Sequence, residues 1–404
     1  MLGRSVDKIR TVTELSAALS TVNALQLDGL VLLGGTFTNT DAAHLAEYFV
    51  QKGAPTRVIG VPTTIDGDIR SEYVESTVGF DTACRVTAQL VGNLETDCNS
   101  AKKYVYITRV LGRECGHVAL EVALQTCPNL LMLGEDVETR RLTLSGVVNE
   151  LADLISARAA AGKNYGVILI PEGLVTFIPE LRTLIDEINH LLIHGEANEM
   201  TAELTPWSRA VLEYLPLTVR KELFLERESS GAIQLSQISM EKLLQDLVNN
   251  EVLKRKAAGK TKAKGGNLMG FFLGYQARSA LPSNFDCTLG SALGRTAALL
   301  VAGGMTGYLT SMRGLKKPVA EWEPVGVPLV QLLTVPVTGA PIPPQANAGK
   351  NQGARPALLP SPVNVRGDDY REFAGLRDFW ASGEHYLSPG PIQFSGATAD
   401  GQGR

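Results

Sequence analysis

Short apolar runs alternate with helix-forming segments along most of this 404-residue chain, and the alternation limits the possible folds more than any other feature. The clearest run is GVILI at 166–170, and comparable runs stand at 30–33, 57–61, 104–110 and 130–133. A continuous apolar run suits a strand that is buried on both faces of a parallel sheet. Strands and helices in succession make right-handed βαβ units. We therefore predict a doubly wound α/β fold, in which ligands bind at the carboxyl ends of the strands.

Helix signals fill the intervals between the strands. The first helix begins with a capping box, in which Thr11 and Glu14 stand three residues apart. The second is predicted over 41–50, with Asn39 or Thr40 as its cap. Later helices are predicted at 79–94, 116–124, 144–161 and 179–193.

The chain is predicted to form two Rossmann-like lobes and a closing segment. The first lobe covers 1–165 and the second 166–336, with a charge-rich helical insertion at 195–264. The lysines near the end of the insertion favour a solvated helix end over a contact with an anionic partner. Residues 337–404 begin with a Pro-, Ala- and Gly-rich stretch and are predicted to cross the surface and end in a tail.

Composition excludes several classes of protein. A net charge of −4 argues against a nucleic-acid binder, which should carry a basic face. No apolar run approaches the roughly 18–20 residues of a membrane span. Five cysteines without a CxxC pair indicate neither a disulfide framework nor a zinc site. With no apolar segment after Met1, we expect a cytoplasmic protein that binds no membrane, no nucleic acid and no metal through its own residues.

Glycines and carboxylates follow the first two strands. Gly34, Gly35 and Thr36 lie between a strand and a helix, where backbone amides can approach an anion. The GxxxxGK[ST] pattern is absent, so an ordinary turn remains an equal alternative. Asp66 and Asp68 stand two residues apart on a tight turn, where one could accept a proton and the other orient it or hold a cation. The alternative is that the Asp-Gly pair only makes the turn.

Three further strand ends carry polar side chains. Arg113 stands between a strand and a helix, where it could bind a phosphate. Glu172 directly follows the run at 166–170 and could accept hydrogen bonds from sugar hydroxyls, or simply favour a helix N-terminus. Tyr275 and Arg278 are three residues apart and share a face if their turn is helical. Five such strand ends on one predicted edge favour a binding site.

Together these stretches resemble the phosphofructokinase family, and specifically its long pyrophosphate-dependent branch. The stretches that carry the resemblance are GGTFTNTD at 34–41, TIDGD at 64–68, VGFDT at 78–82, LGR at 111–113, GVILIPEGL at 166–174, GYQAR at 274–278, LPSNFD at 281–286 and PGPIQF at 389–394. The resemblance covers nearly the whole chain. It implies two Rossmann-like lobes between which a sugar phosphate and a phosphoryl donor meet.

The resemblance also implies roles for the residues that match the family's motifs. Asp66 would be the base that deprotonates the 1-hydroxyl of fructose 6-phosphate, near Asp68. The acceptor sugar would be held by Thr64, Gly112, Arg113, Glu172, Tyr275 and Arg278, the last two at its 6-phosphate. The donor phosphate would lie near Gly34, Gly35 and Thr36.

The donor side departs from the catalytic members of the family. They carry an acidic residue after the double glycine, where this chain has Thr36 and Phe37, and a lysine before Thr-Ile-Asp, where it has Thr63. The family's first glycine-rich strand would also precede Met1, so we expect the N-terminal part of the fold to be missing. Loss of one electrostatic contact to a transition state typically costs on the order of 10²–10³ in rate.

This pattern resembles the regulatory alpha-type subunits of pyrophosphate–fructose 6-phosphate 1-phosphotransferase. The resemblance implies pairing with a catalytic beta-type subunit in a heterotetramer, response to a sugar-bisphosphate effector, and Mg²⁺ that binds with pyrophosphate at the partner. The retained Asp66 keeps open a catalytically active phosphofructokinase with a truncated N-terminus. A third alternative is a non-catalytic sugar-phosphate binding protein.

Overall fold

The computed structural model describes residues 9, 11–192, 203–225, 233, 235–335 and 356–396. It confirms the predicted α/β class, with largely parallel sheets and many helices. The strands are β1 Gly29–Gly34, β2 Arg57–Pro62, β3 Val105–Val110, β4 Leu130–Leu131, β5 Gly166–Pro171, β6 Leu268–Leu273, β7 Tyr308–Arg313, β8 Glu323–Pro328, β9 Leu333–Thr334 and β10 Ala357–Leu358. The predicted strands at 30–33, 57–61, 104–110, 130–133 and 166–170 correspond to β1–β5.

Helices separate most of these strands. They are α1 Val12–Ala24, α2 Thr36–Gln51, α3 Phe80–Ala101, α4 His117–Thr126, α5 Gly134–Thr139, α6 Leu144–Ala160, α7 Leu174–Phe177, α8 Pro179–Leu192, α9 Pro206–Tyr214, α10 Leu217–Leu225, α11 Met240–Ala257, α12 Tyr275–Arg278, α13 Asn284–Ala302 and α14 Asp368–Ser382. The capping box of α1 is present as predicted: the Thr11 hydroxyl accepts from the Glu14 amide, and the Glu14 carboxylate accepts from the Thr11 amide. No helix in the part of the chain that the structure describes is long and apolar enough to cross a membrane.

The second helix begins five residues earlier than predicted. Strand β1 passes directly into α2 through Gly35, which caps the helix without a side-chain hydrogen bond. Asn39, one of the two predicted cap residues, lies inside the helix and donates from its amide to the carbonyls of Gly34 and Gly35 at 2.8 and 2.9 Å. The cap prediction was wrong because this side chain closes the turn from within the helix.

The described residues fall into two compact units that are each discontinuous in sequence. Unit 1 draws on Met1–Asp81, Pro282–Ser361 and Gln393–Arg404, and unit 2 on Thr82–Leu281 and Pro362–Ile392. These limits differ from the predicted boundaries at 165 and 336. The physical reason is strand pairing, since β7 pairs with β2 and so joins the segment after residue 282 to the start of the chain.

Unit 1 is built on a four-stranded sheet in the order β1-β2-β7-β8. The first three strands are parallel, and β8 runs antiparallel to β7 at the edge. In the β1–β2 register, Gly34 stands opposite Pro62, so both strands end at the same edge. Phe49 of α2 and Leu309 of β7 are buried in the core of this unit.

Unit 2 is built on a fully parallel sheet in the order β4-β5-β3-β6. Val110 at the end of β3 stands opposite Pro171 of β5 and Leu273 of β6. The three strands therefore end level with one another. Helices α6, α8 and α11 contribute buried apolar side chains to the core beside this sheet.

The described part of the predicted insertion is largely helical and forms α9, α10, α11 and a 3₁₀ turn at Leu235–Gln237. Its lysines at the end of α11 are exposed, while Arg255 pairs with Asp153 of α6 at 2.6 Å. Residues 193–202 and 336–355 lie outside the described residues, and so does most of the predicted surface-crossing stretch. What is described of that stretch includes β10, which pairs antiparallel with β9.

Candidate functional site

In unit 1, the turn at Gly34 and Gly35, here called the glycine turn, and the turn at Thr64 lie side by side at one edge of the sheet. The Thr63 amide donates to the Gly34 carbonyl at 2.9 Å, directly beyond the last paired residues of β1 and β2. A Cβ at Gly35 would lie 3.6 Å from the Thr64 side chain. Thr36 is buried at the first turn of α2, a 16-residue helix. The amide groups of this N-terminus could therefore meet an anion beside Thr64.

The acidic turn follows immediately. The Asp66 amide donates to the Thr64 hydroxyl at 3.2 Å, and the Asp66 side chain is half-buried. Gly67 has a φ of +65°, and a Cβ there would come within 2.7 Å of the Phe80 ring. The left-handed turn therefore requires glycine. Asp68 is buried, and its carbonyl accepts from the Ser361 amide at 2.7 Å, so Asp68 is the less exposed of the two aspartates.

Two other stretches of the resemblance meet in the same unit. The Gly79 amide donates to the carboxylate of Asp286 at 2.8 Å. The Ser283 hydroxyl donates to the carboxylate of Asp81 at 2.6 Å. The VGFDT and LPSNFD stretches thus form reciprocal contacts, and they hold the start of α3 against the start of α13.

In unit 2, the turns after β3 and β5 are in direct contact. The Glu172 amide donates to the Val110 carbonyl at 2.9 Å, and the Gly173 amide donates to the Gly112 carbonyl at 2.8 Å. Gly112 has a φ of +126°, which favours glycine, and a Cβ at Gly173 would stand 1.9 Å from the Arg113 carbonyl oxygen. Arg113 is exposed, whereas Glu172 is buried at 2%. The two contacting turns therefore carry one exposed basic residue and one buried acidic residue.

The GYQAR turn completes this edge. Gly274 follows β6, and α12 carries Tyr275 and Arg278 on one helical turn, with the Arg278 guanidinium 5.7 Å from the centre of the Tyr275 ring. Both side chains are exposed. Since Val110, Pro171 and Leu273 are in register, the residues after them lie at one edge. The structure thus brings Gly112, Arg113, Glu172, Tyr275 and Arg278 to the carboxyl ends of three adjacent strands.

Sequence reasoning missed Glu135, which lies on α5 just after β4 and supports the same edge. Its carboxylate accepts from the amides of Gly116 and Val363 at 2.8 and 3.0 Å. Burial raises the pKa of Glu135, and those two hydrogen bonds offset part of the rise. The side chain holds the start of α4, just beyond Arg113. An available signal was the acidic pair Glu135-Asp136 soon after β4, which matches the acidic residues at the other strand ends.

Sequence reasoning also missed Arg109 and Glu241. The Nε of Arg109, on β3, lies 2.6 Å from Oε2 of Glu241, on α11, and both side chains are buried. The Arg109 guanidinium also stacks on the ring of Phe272, 3.8 Å from its centre. A lone arginine within an apolar strand was the only signal, and its partner lies more than a hundred residues away.

The carboxylates at the strand ends bear on whether Mg²⁺ could bind there. Within the described residues, no group of three or more His, Cys, Asp and Glu side chains could hold a metal ion. Mg²⁺ is usually bound by one or two carboxylates together with substrate phosphates and water. Asp66 and Asp68 supply oxygen ligands of that kind, but they do not by themselves form a closed metal site.

The fold is α/β, and glycine turns, carboxylates and exposed arginines stand at the strand ends of one unit or the other, a set of groups that can bind a phosphorylated ligand. A family model described as phosphofructokinase matches residues 2–301. The chain belongs to the phosphofructokinase family.

Several named relatives cover almost all of the chain. The alpha subunit of pyrophosphate–fructose 6-phosphate 1-phosphotransferase from Solanum tuberosum is 43% identical over 401 residues, which are 99% of this chain and 64% of that protein. The beta subunit from the same plant is 42% identical over 397 residues, 98% of this chain and 68% of that protein. The Porphyromonas gingivalis enzyme is 36% identical over 98% of this chain and 72% of its own length. The chain thus spans a little under two thirds of the alpha subunit's length.

Solved structures support the fold. The pyrophosphate-dependent phosphofructokinase of Marinobacter aquaeolei matches with a TM-score of 0.51 and 15% identity over 93% of this chain and 73% of that one. The Nitrosospira multiformis enzyme matches with a TM-score of 0.52 and 14% identity over 96% of this chain and 75% of its own. At such identities the likeness concerns the fold alone.

Proposed function

We propose that the chain acts as a regulatory alpha-type subunit of a pyrophosphate–fructose 6-phosphate 1-phosphotransferase. The reaction transfers a phosphoryl group from pyrophosphate to fructose 6-phosphate in glycolysis. The observation that carries the proposal is the difference between the two edges. Unit 2 assembles an arginine, a carboxylate and the Tyr275–Arg278 pair at adjoining strand ends, whereas in unit 1 neutral Thr36 and Thr63 stand beside the glycine turn.

The carboxyl ends of β3, β5 and β6 in unit 2, here called the acceptor edge, suit a sugar phosphate. Arg278 and Tyr275 are exposed on one turn, where a guanidinium and a hydroxyl can meet the 6-phosphate. Glu172 is buried beside the Gly112 turn, where its carboxylate can accept from sugar hydroxyls. Arg113 adds a second positive charge at the same edge. Positioning and charge neutralisation are what phosphoryl transfer requires of a protein.

The ends of β1 and β2 in unit 1, here called the donor edge, carry neutral side chains at the two positions beside Gly34 and Gly35 where catalytic members of the family carry charged ones. Thr36 is buried at the start of α2 and offers a hydroxyl where a carboxylate could help to hold a metal–phosphate complex. Thr63 is exposed and neutral, so it cannot offset the charge of pyrophosphate. We propose that Mg²⁺ binds with pyrophosphate at a catalytic beta-type partner. The metal would supply charge neutralisation there.

The proposal includes a heterotetramer with beta-type chains, allosteric control by a sugar bisphosphate, and a cytoplasmic location. The names of the relatives, which include both alpha and beta subunits, support a two-subunit complex. The thiols of Cys98, Cys127 and Cys287 suit a reducing compartment.

The test is binding and turnover by the purified chain. We expect fructose 6-phosphate to bind in titration calorimetry, with no turnover of pyrophosphate or ATP. Arg278→Ala should weaken binding by about tenfold or more, because a charge-assisted contact to phosphate is worth roughly 1.5–3 kcal/mol. Arg371→Ala is the matched control, since Arg371 is an exposed arginine of α14 in the same unit. Rapid turnover by the chain alone contradicts the proposal.

A second experiment tests the partner. Co-expression with the Solanum tuberosum beta subunit should give a complex in gel filtration whose response to a sugar bisphosphate differs from that of the beta subunit alone. If the chain binds fructose 6-phosphate but never associates, it is a sugar-phosphate binding protein without a subunit to regulate.

Asp66 favours one other candidate function, an active phosphofructokinase. Its half-buried carboxylate lies just beyond Thr64, beside the glycine turn, where a general base could act. This candidate requires turnover by the chain alone that Asp66→Asn abolishes, with fructose 6-phosphate binding retained.

A further inference from the structure

A buried ion pair joins the insertion helix to the central strand of unit 2. Glu241, near the start of α11, and Arg109, near the end of β3, approach to 2.6 Å with side chains only 5% and 3% exposed. Taking two charges out of water costs about as much as their attraction returns, so a pair of this kind is weak evidence for stability. The pair contacts Phe272, which lies just before the GYQAR turn, and this position suggests another role.

The pair is connected to the GYQAR turn by a series of ring contacts. The Arg109 guanidinium lies 3.8 Å from the centre of the Phe272 ring. Phe272 meets Tyr275 edge to face, with ring centres 6.4 Å apart. Arg278 in turn lies 5.7 Å from the centre of Tyr275. A Cβ at Gly274 would come within 2.2 Å of the Phe272 ring, so position 274 has no room for a side chain while the ring holds this position.

The insertion helix is also fixed directly to β6. The Gly270 amide donates to the side-chain oxygen of Gln245 at 2.7 Å. A Cβ at Gly270 would lie 3.2 Å from the Glu241 carbonyl oxygen, a tight contact, so α11 lies close against the strand at this position. Helix α11 therefore contacts both β3 and β6 immediately before the strand end that carries Tyr275.

We propose that Glu241 and Arg109 are positioning residues through which the insertion helix holds Phe272, and with it the Tyr275–Arg278 turn, in its binding arrangement. The identity of the ligand rests on the proposed function, whereas the positioning is a property of the chain without ligand. Packed side chains and a charge pair in contact can carry energetic coupling of this kind.

Two variants and a matched control test the proposal. Glu241→Gln removes the counter-charge of Arg109, and the double variant R109M/E241M replaces both members of the pair by apolar side chains. Glu384→Gln is the control, because Glu384 pairs with Arg158 at 3.1 Å in the same unit, beside the start of β5 rather than its end. The measurements are hydrogen exchange of the amides at 272–279 and the Kd for fructose 6-phosphate.

Both variants at the Glu241–Arg109 pair should speed exchange at 272–279 more than in the rest of unit 2. They should weaken fructose 6-phosphate binding by about 3- to 30-fold. The control should do neither. Should Glu241→Gln fail to fold, R109M/E241M alone decides.

Unchanged exchange at 272–279 in R109M/E241M overturns the proposal, as does exchange that rises equally throughout unit 2. If the parent chain does not bind fructose 6-phosphate, the proposed function fails. The exchange measurement then still decides whether the pair positions the turn.

Discussion

At the scale of single residues, Glu95 is a carboxyl group whose surroundings disfavour its charged form. It lies on α3 and is almost fully buried. Burial raises its pKa from 4.5 to about 9, and a contact with the Thr126 hydroxyl offsets the rise only in part. At neutral pH the folded chain therefore holds this carboxyl in its protonated form. In the unfolded chain it would be ionised.

We expect the stability of unit 2 to fall as pH rises from 4.5 towards 9, because the folded state binds the extra proton over that range. Glu95→Gln cannot ionise. Its free energy of unfolding should therefore rise, relative to that of the parent chain, by about 1.4 kcal/mol per pH unit in this window. Urea unfolding of both chains at several pH values measures the difference. A constant difference between pH 5 and pH 8 would show that Glu95 is ionised in the fold.

At the scale of elements, the strand-end turns are held by contacts between neighbouring strands. The runs that became β3 and β5 were predicted from their apolar residues, and so was the place of Glu172 after β5. The contact of Gly173 with Arg113 was not predictable, because it depends on β3 and β5 lying side by side in register. Glu135 and Arg109 were missed for the same reason, since their partners come from elements remote in sequence.

Gly173→Ala tests how closely the two turns must approach. Its Cβ would stand 1.9 Å from the Arg113 carbonyl oxygen, so one turn must move. We expect a loss of about 1–3 kcal/mol of stability, the usual cost of overpacking, and weaker binding of fructose 6-phosphate.

Gly375→Ala is the matched control for that substitution. A Cβ there meets nothing within 4 Å on helix α14. It should stabilise the chain by about 0.5–1 kcal/mol, because alanine loses less backbone entropy in a helix. Equal effects of the two substitutions in denaturant titrations would contradict the close approach of the turns.

At the scale of the whole molecule, each unit is completed by residues far away in the chain. Pro362–Ile392 belongs to unit 2 and contributes α14, whose Phe373 and Trp380 are buried. The Asn129 side chain donates to the carbonyls of Trp380 and Gly383 at 3.0 and 2.9 Å. Its oxygen accepts from the Val167 amide at 3.0 Å, so one side chain ties the end of α14 to the sheet.

A chain that stops after residue 335 should therefore lose most of the stability of unit 2. Each buried aromatic side chain that is removed costs about 3–5 kcal/mol, and a domain is stable by only 5–15 kcal/mol. Thermal unfolding followed by circular dichroism measures the loss. A chain that stops after Gly396 is the control, and it keeps α14 and its contacts. If both chains unfold at the same temperature, α14 is dispensable.

The amino-acid sequence by itself determined the class of fold, most strand positions, and the strand ends that carry glycine, carboxylate and arginine. These properties are local, because an apolar run such as 166–170 and a turn glycine such as Gly67 act through their own neighbours in the chain. The tertiary structure alone decided the limits of the two units, the start of α2, the division of the five predicted strand ends between two sheets rather than one, and the burial of Glu95 and Arg109. Each of these depends on contacts between residues that are far apart in sequence, for which local pattern carries no signal.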